Sequence, residues 1–418
     1  MSCTRRAFVK RSFGSCGAWA LAGSVPAFVA RTAMAAGPAR RDDTILIVVQ
    51  LGGGNDGLNT VVPYEDDRYA RGRPTLRLRA GDVLKLDGHL GLHPQATAFK
   101  RLLDDGLLGI VQGVGYANPN RNHGGGMRVW QTAHLRPAEI ETGWLGRTVD
   151  LITPPGSARV PAAFVGQIGL PVGLHAQRAM TPVLHRLGDC TLQPLGPDRA
   201  AERQLLRELA QTSRRGDTAP WLEFLRQTTA AALETSDRVA AAAESPAATT
   251  DYPAFGLAQR LKTIAQLIRA ELGIRIFYTE LGGPDPGGFD NHSNQADNHG
   301  VLLHELAESL AALARDLKRD KLLDRVLLMT FSEFGRTLSE NGRRGTDHGA
   351  AAPLFVVGGR VRAGLVGPHP SLDDLDGGAP RFHTDFRRVY ATVLDEWLGF
   401  DSRDVLGERF DRVAMLGG

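Results

Sequence analysis

Between Thr44 and Leu51 the chain reads TILIVVQL, a nearly unbroken apolar run of strand length. A strand with one wet face alternates apolar and polar residues, whereas a strand covered on both faces does not. The run therefore demands a sheet with material packed on either side of it. Leu107–Val111, Ala162–Val165, Ile274–Thr279, Arg325–Thr330 and Pro353–Val357 read as further strands. Helical stretches fall between or after them: Gln95–Asp105, Asn298–Lys318 and His383–Leu398. This alternation predicts an α/β protein, with a mostly parallel central sheet flanked by helices on both faces. Asp198–Leu272 departs from the pattern. It is rich in Ala, Leu, Arg and Glu and reads as three helices with a loop at Ser245–Asp251, a helical insertion over 198–272.

The N-terminus is expected to be an address rather than part of the fold. Thr4-Arg5-Arg6-Ala7-Phe8-Val9-Lys10 matches the twin-arginine export pattern. A weakly apolar stretch, Ser12–Ala30, and a small-x-small site, Ala33-Met34-Ala35, complete a signal peptide over 1–35. The twin-arginine translocase would then be a partner during export. The mature chain, 36–418, would reach the periplasm or the exterior as one domain. The apolar stretch holds Gly, Ser and Pro and makes a poor permanent membrane span, and no later segment has 18 consecutive apolar residues. Charge supports this division. Of 49 Lys and Arg, five lie in the first 35 residues, which carry no acid; the remaining 44 face 46 acids. A mildly acidic mature chain argues against nucleic acid as a partner. Cys3 and Cys16 leave with the signal, and Cys190 alone cannot form an internal disulfide.

In open α/β sheets, ligands bind beyond the carboxyl ends of the strands. The loops there concentrate the chemistry of this chain. Gly52-Gly53-Gly54-Asn55-Asp56-Gly57 follows the first strand. Asn118-Pro119-Asn120-Arg121-Asn122-His123 follows the second, and Gly288-Phe289-Asp290-Asn291-His292 follows Ile274–Thr279. Ser332-Glu333-Phe334-Gly335-Arg336 and then Gly345-Thr346-Asp347-His348 follow Arg325–Thr330. Neutral imidazoles and carboxylates suit zinc, iron or manganese, and carboxylates also suit magnesium or calcium. Asp56, Asp290, His292, Asp347 and His348 are the candidate ligands of a divalent metal: zinc, calcium, magnesium or manganese. His123, His299 or His383 would nearly complete a second ion's set. Arg121, Arg336 or Arg343 could hold an anionic substrate, and Glu333 with Arg336 reads as an ion pair beside the ligands. Each residue also has a plainer reading: Asp56 in Asn-Asp-Gly, for example, is a turn former. Gly52-x-Gly54-x-x-Gly57 matches a dinucleotide fingerprint, but that motif opens a helix, and here β-branched residues and Pro63 follow.

The segments LGGGNDGLNTVVPY (Leu51–Tyr64), NPNRNHGGGMRVWQTA (Asn118–Ala133), GGFDNHSNQ (Gly287–Gln295), SEFGRT (Ser332–Thr337) and GTDHGAA (Gly345–Ala351) resemble the twin-arginine-exported bacterial family filed as domain of unknown function 1501. That family looks like a branch of the alkaline phosphatase/sulfatase superfamily. The resemblance implies a three-layer sandwich with a metal site at the carboxyl edge of the sheet. Asp56 would be the first-strand ligand, Asp290 and His292 the intermediate pair, Asp347 and His348 the late pair, and His383 a final ligand. Family members often carry Arg-Ser-His-Phe where this chain has Arg121-Asn122-His123-Gly124. An amide cannot replace a serine nucleophile. Direct attack by metal-activated hydroxide, a neighbouring Thr346 or loss of hydrolysis would follow. The leading expectation is an exported metal-dependent hydrolase of phosphate or sulfate esters, with Asn122 and His123 at the reacting group and Arg121 and Arg336 on the anion. The alternative is a non-catalytic exported binding protein on the same scaffold.

Overall fold

Ile45–Leu51 forms strand β1, and every residue of it is buried. Its side chains divide between two cores by alternation. Ile45, Ile47, Val49 and Leu51 join one cluster, and Leu46 and Val48 join the other. The first cluster is closed by helices Thr97–Asp104, Gly256–Arg269 and Gln295–Arg319. The second is closed by His123–Thr132, Trp144–Ile152 and Phe386–Thr392. This is the physical meaning of the unbroken apolar run: a helix layer covers each face of the strand. The computed structural model describes residues 44–417 except 154–159, 188–198, 212–228, 231–232, 243–250 and 283–287. The expected signal over 1–35 and Cys190 lie outside the described residues, as do parts of the expected insertion.

The remaining strands of the main sheet are β2 (Leu108–Gly115), β3 (Ala162–Val165), β4 (Val183–Leu184), β5 (Ile276–Leu281), β6 (Val326–Ser332), β7 (Ala352–Val357), β8 (Gly364–Val366) and β9 (Thr384–Asp385). Among the described residues, with β1 they make one nine-stranded sheet in the order β8-β2-β7-β6-β1-β5-β3-β4, with β9 also paired to β2. β1 runs parallel to β5 and β6 in register, Leu46 beside Ile276 and Leu327. The expected α/β class, with its mostly parallel sheet and flanking helices, is therefore the observed one. Only β7 runs antiparallel to its neighbours, β2 and β6. A parallel return would need a crossover, usually a helix. Here the residues after β6 instead form a two-stranded ribbon, Arg336–Glu340 with Thr346–His348, at the carboxyl edge, and the chain re-enters the sheet from that edge.

Differences from the sequence-based boundaries have local causes. β2 runs on to Gly115, beyond the expected end at Val111, because Gly113 adopts φ 59° within a register shift against β7. A bulge of this kind continues a strand through a break in the pattern. His383–Leu398, expected as one helix, begins with β9, then continues as helix Phe386–Thr392 and a π-helical turn, Val393–Leu398. Within 198–272 the described residues are helical at Arg199–Gln211, 229–230, 233–242 and Gly256–Arg269. The last of these is a layer helix: Leu257, Leu261 and Ile264 are fully buried in the first core. Among the described residues no helix is long and apolar enough to cross a membrane.

Candidate metal centre

The four loops singled out from the sequence leave β1, β2, β5 and β6 at the same edge, and a buried arginine ties three of the corresponding segments together. The Arg336 guanidinium is 1% exposed. Its Nε donates to the Gly54 carbonyl at 2.8 Å and its Nη1 to the Thr346 carbonyl at 2.9 Å. Nη2 donates to the Phe289 carbonyl at 3.0 Å, to Asp290 Oδ1 at 2.7 Å and to the Gly53 carbonyl. Close approach of these backbones explains the glycines after β1. Gly53 has φ 112°, and a Cβ there would fall 2.4 Å from the Asp290 nitrogen.

Three imidazoles and one carboxylate converge above this staple. His123 opens the helix His123–Thr132, and Asn122 caps it by accepting from the Gly125 N–H at 3.2 Å. His348 faces Arg336 across the ribbon. His292 Nε2 and His348 Nε2 each lie 3.1 Å from Asp290 Oδ1 and 2.9 Å from one another. His123 Nε2 lies 3.3 Å from Asp290 Oδ2. His123, Asp290 and His348 each offer a ligand atom within 4.8 Å of the others'. Two donors on one zinc-like ion, each about 2.0–2.1 Å from it, would be separated by about 3.3 Å. The spacing and the donor types fit a metal, and one further observation agrees. His123 Nε2 is buried and has no hydrogen-bond partner, a costly state for a polar atom that a ligand would relieve.

Electrostatics sharpen the picture. Burial pushes the Asp290 carboxyl upward, but the Arg336 hydrogen bond and charge outweigh it and hold its pKa at about 2. The hydrogen bond to Glu333 raises His123, and burial lowers His348. Asn341, helped by His292, lowers Asp347.

The other sequence candidates sit around this group. Asp347 is 62% exposed and contacts His292 Nδ1 at 3.2 Å from the side away from Asp290. Asp56 stands apart. It is 2% exposed, caps the short helix Gly57–Thr60 and receives Arg73 at both carboxylate oxygens, together with Gln295. Arg121 donates its guanidinium to the Asp376 carbonyl at 2.6 Å, while its own carbonyl accepts from His348 Nδ1 at 2.6 Å. The expected Glu333–Arg336 pair gives way to other partners. Arg336 pairs with Asp290, and Glu333 pairs with His123 at 2.8 Å. Thr346 is buried and donates to Gln295 Oε1 at 2.6 Å. His383 Nε2 meets the Pro368 carbonyl, and His299 Nε2 meets Asn55 Oδ1. Arg73, Gln295 and the role of Glu333 were missed by sequence reasoning. A Glu directly after a buried strand was a visible signal for Glu333, whereas nothing local marks Arg73 or Gln295.

A family model described as a protein of unknown function (DUF1501) matches residues 109–416. No curated protein matches the chain. Among solved structures it is similar to the C-terminal periplasmic domain of EptC from Escherichia coli, in complex with zinc. There the identity is 8% over 76% of this chain and 73% of that one, with a TM-score of 0.35. It is similar to the lipoteichoic acid synthase LtaP from Listeria monocytogenes, at 7% identity over 78% and 68%, with a TM-score of 0.37. It is also similar to an alkaline phosphatase from the Antarctic bacterium TAB5, at 11% identity over 77% and 92%, with a TM-score of 0.33. Likeness at this level transfers no residue roles.

Proposed function

Since the chain belongs to the DUF1501 family, whose description states no activity, we propose a function from the site itself: an exported, metal-dependent hydrolase acting on an anionic phosphate or sulfate ester. The observation that carries this reading is the convergence of His123, His292 and His348 through Nε2 on the Asp290 carboxylate. Those residues would hold the ion, and an ion so placed supplies Lewis acidity toward an ester oxygen. Arg336 orients Asp290 rather than reaching for substrate, since its donors are already engaged by the protein. The N-terminus of the helix beginning at His123 lies beside the same group, and its first N–H groups favour an anion there. Gly124 brings no side chain to obstruct them. Export rests on the twin-arginine pattern at Arg5-Arg6 and delivers the protein to the periplasm or beyond.

The alternative, a binding protein without hydrolysis, draws on Asn122. Its side chain is exposed and serves as a helix cap, with no hydroxyl to act as nucleophile. Elemental mass spectrometry on the exported full chain separates the readings. A stoichiometric divalent metal, lost in His123→Ala/His348→Ala, together with turnover of phosphate or sulfate esters, is expected for the hydrolase. Bound metal with no turnover on either ester class would favour the binding protein, and a metal-free folded chain would remove the metal-centre reading.

A further inference from the structure

The protein treats the two nitrogens of each ring differently. His123 Nδ1 lies 2.8 Å from Glu333 Oε1, His292 Nδ1 lies 3.2 Å from Asp347 Oδ1, and His348 Nδ1 lies 2.6 Å from the Arg121 carbonyl. All of these partners are acceptors. Each Nε2 also faces an Asp290 oxygen, at 3.3 Å for His123 and 3.1 Å for His348 and His292. The Nδ1 contact is the shorter one for His123 and His348, and Arg336 already donates to the Asp290 Oδ1 that His292 meets, so the proton is placed on Nδ1 and Nε2 presents a lone pair. His123 and His348 thus turn Nε2 lone pairs into the space they share with Asp290, and His292 Nε2 borders it, against His348 Nε2 and Asp290 Oδ1. Two of those nitrogens face each other at 2.9 Å, which needs a proton or a cation between them.

The two carboxylates that pin the rings are themselves held by other groups. Glu333, 2% exposed, accepts the Gly53 N–H at 2.8 Å and the Ser332 hydroxyl at 3.2 Å. Asp347 accepts from Asn341 Nδ2 at 3.1 Å. Each carboxylate thus has a partner besides the histidine it contacts, and Glu333 is the more firmly held of the two. The charge inside the group is small. Among the described residues Asp290 is the lone carboxylate pointing into it, and Arg336 already draws on one of its oxygens at 2.7 Å.

Resting on the metal-centre reading above, we propose that Glu333 and Asp347 are positioning residues rather than ligands. With the Arg121 carbonyl, they commit His123, His292 and His348 to Nε2 ligation and so reserve the centre for a zinc-like transition-metal ion, to the exclusion of magnesium and calcium. Magnesium and calcium take oxygen ligands and are held largely by carboxylate charge. A set of three imidazoles with one partly neutralised carboxylate offers them little. The same set suits zinc, cobalt or another late divalent metal. Hydrogen-bonded partners of ligating histidines typically contribute 10- to 100-fold in metal affinity.

The test uses the full chain, stripped by chelation and titrated separately with zinc, cobalt, magnesium and calcium against a chromogenic competitor. One zinc or cobalt per chain is expected, with millimolar magnesium or calcium unable to displace it. Glu333→Gln and Asp347→Asn should keep that stoichiometry, weaken zinc about 10- to 100-fold and change the visible absorption of the cobalt form. Asp347→Asn is at an exposed position, so its fold is not at risk; urea unfolding of both stripped variants controls for stability. Unchanged affinity in both variants overturns the positioning roles while leaving the metal site standing. Complete loss of metal in Asp347→Asn, with folding intact, makes Asp347 a ligand and also overturns them. Preferential magnesium or calcium binding overturns the selectivity alone. No binding of any ion removes the centre and this proposal together.

Discussion

At the scale of single residues, Asp56 shows how far a plausible ligand can be drawn into another task. Its carboxylate sits at the end of β1, as a sheet-edge ligand would, yet Arg73 reaches both of its oxygens with an entirely buried guanidinium. Burial pushes Asp56 up and Arg73 brings it down, the net being a lowered pKa. Breaking a buried pair from one side strands the other charge, at a cost of about 3–5 kcal/mol. Asp56→Asn should therefore lower unfolding free energy in urea by about that amount while keeping one metal per folded chain. Loss of the metal from a still-folded variant would restore Asp56 as a ligand. Glu333 carries the complementary lesson. It was legible as a polar residue after a buried strand, but its partner, His123, is 210 positions away, and no local pattern encodes such a pairing.

At the scale of elements, the helix His123–Thr132 joins two functions at one end. Asn122 caps it through Gly125, and His123 is its first residue. Replacing an N-cap Asn by Ala costs about 1 kcal/mol, whereas Ser caps about as well as Asn. Asn122→Ala should thus lose about 1 kcal/mol in thermal or urea unfolding, and Asn122→Ser should stay close to the parent. That makes Asn122→Ser a clean chemical test. New or faster esterase turnover in a variant of unchanged stability would show that a hydroxyl at this position is the missing nucleophile. Unchanged turnover would show that the reaction does not pass through residue 122. The ribbon Arg336–Glu340/Thr346–His348 was not foreseen as an element. Its sequence looks like loop, because its strands are short and polar and carry no buried apolar run. Yet it decides which way β7 enters the sheet and sets His348 opposite Arg336.

At the scale of the whole molecule, two histidines are buried beneath the edge that carries the site. Burial drives His299 down to about 3 and His93 down to about 4, from an ordinary value of 6.5. Both rings are neutral when folded, so the unfolded chain takes up protons first as pH falls. Stability from this source is fully present above 6.5 and is lost progressively as pH drops from 6.5 toward 3. Urea midpoints of the metal-free protein should fall across that window, and His93→Phe should flatten the fall. A midpoint that stays level from pH 6.5 to 4 would mean the two rings are not buried neutral in solution.

The linear order of residues was sufficient for the class of fold and the inventory of chemistry. Apolar runs such as Ile45–Leu51 report burial on both faces because side-chain alternation is a property of adjacent positions, and the histidines and acids at strand ends are visible in the same local way. It was not sufficient for assignment within the inventory. Whether Asp56 faces a metal or Arg73, whether Arg336 meets Glu333 or Asp290, and which nitrogen of His123 is pinned all depend on contacts between segments from different strands. Those contacts are set by the register of β1 against β5 and β6 and by the ribbon folding back over the edge. The available groups are a matter of composition and spacing. Their pairing is a matter of distances that exist only once the sheet has closed and water has been excluded from the staple around Arg336.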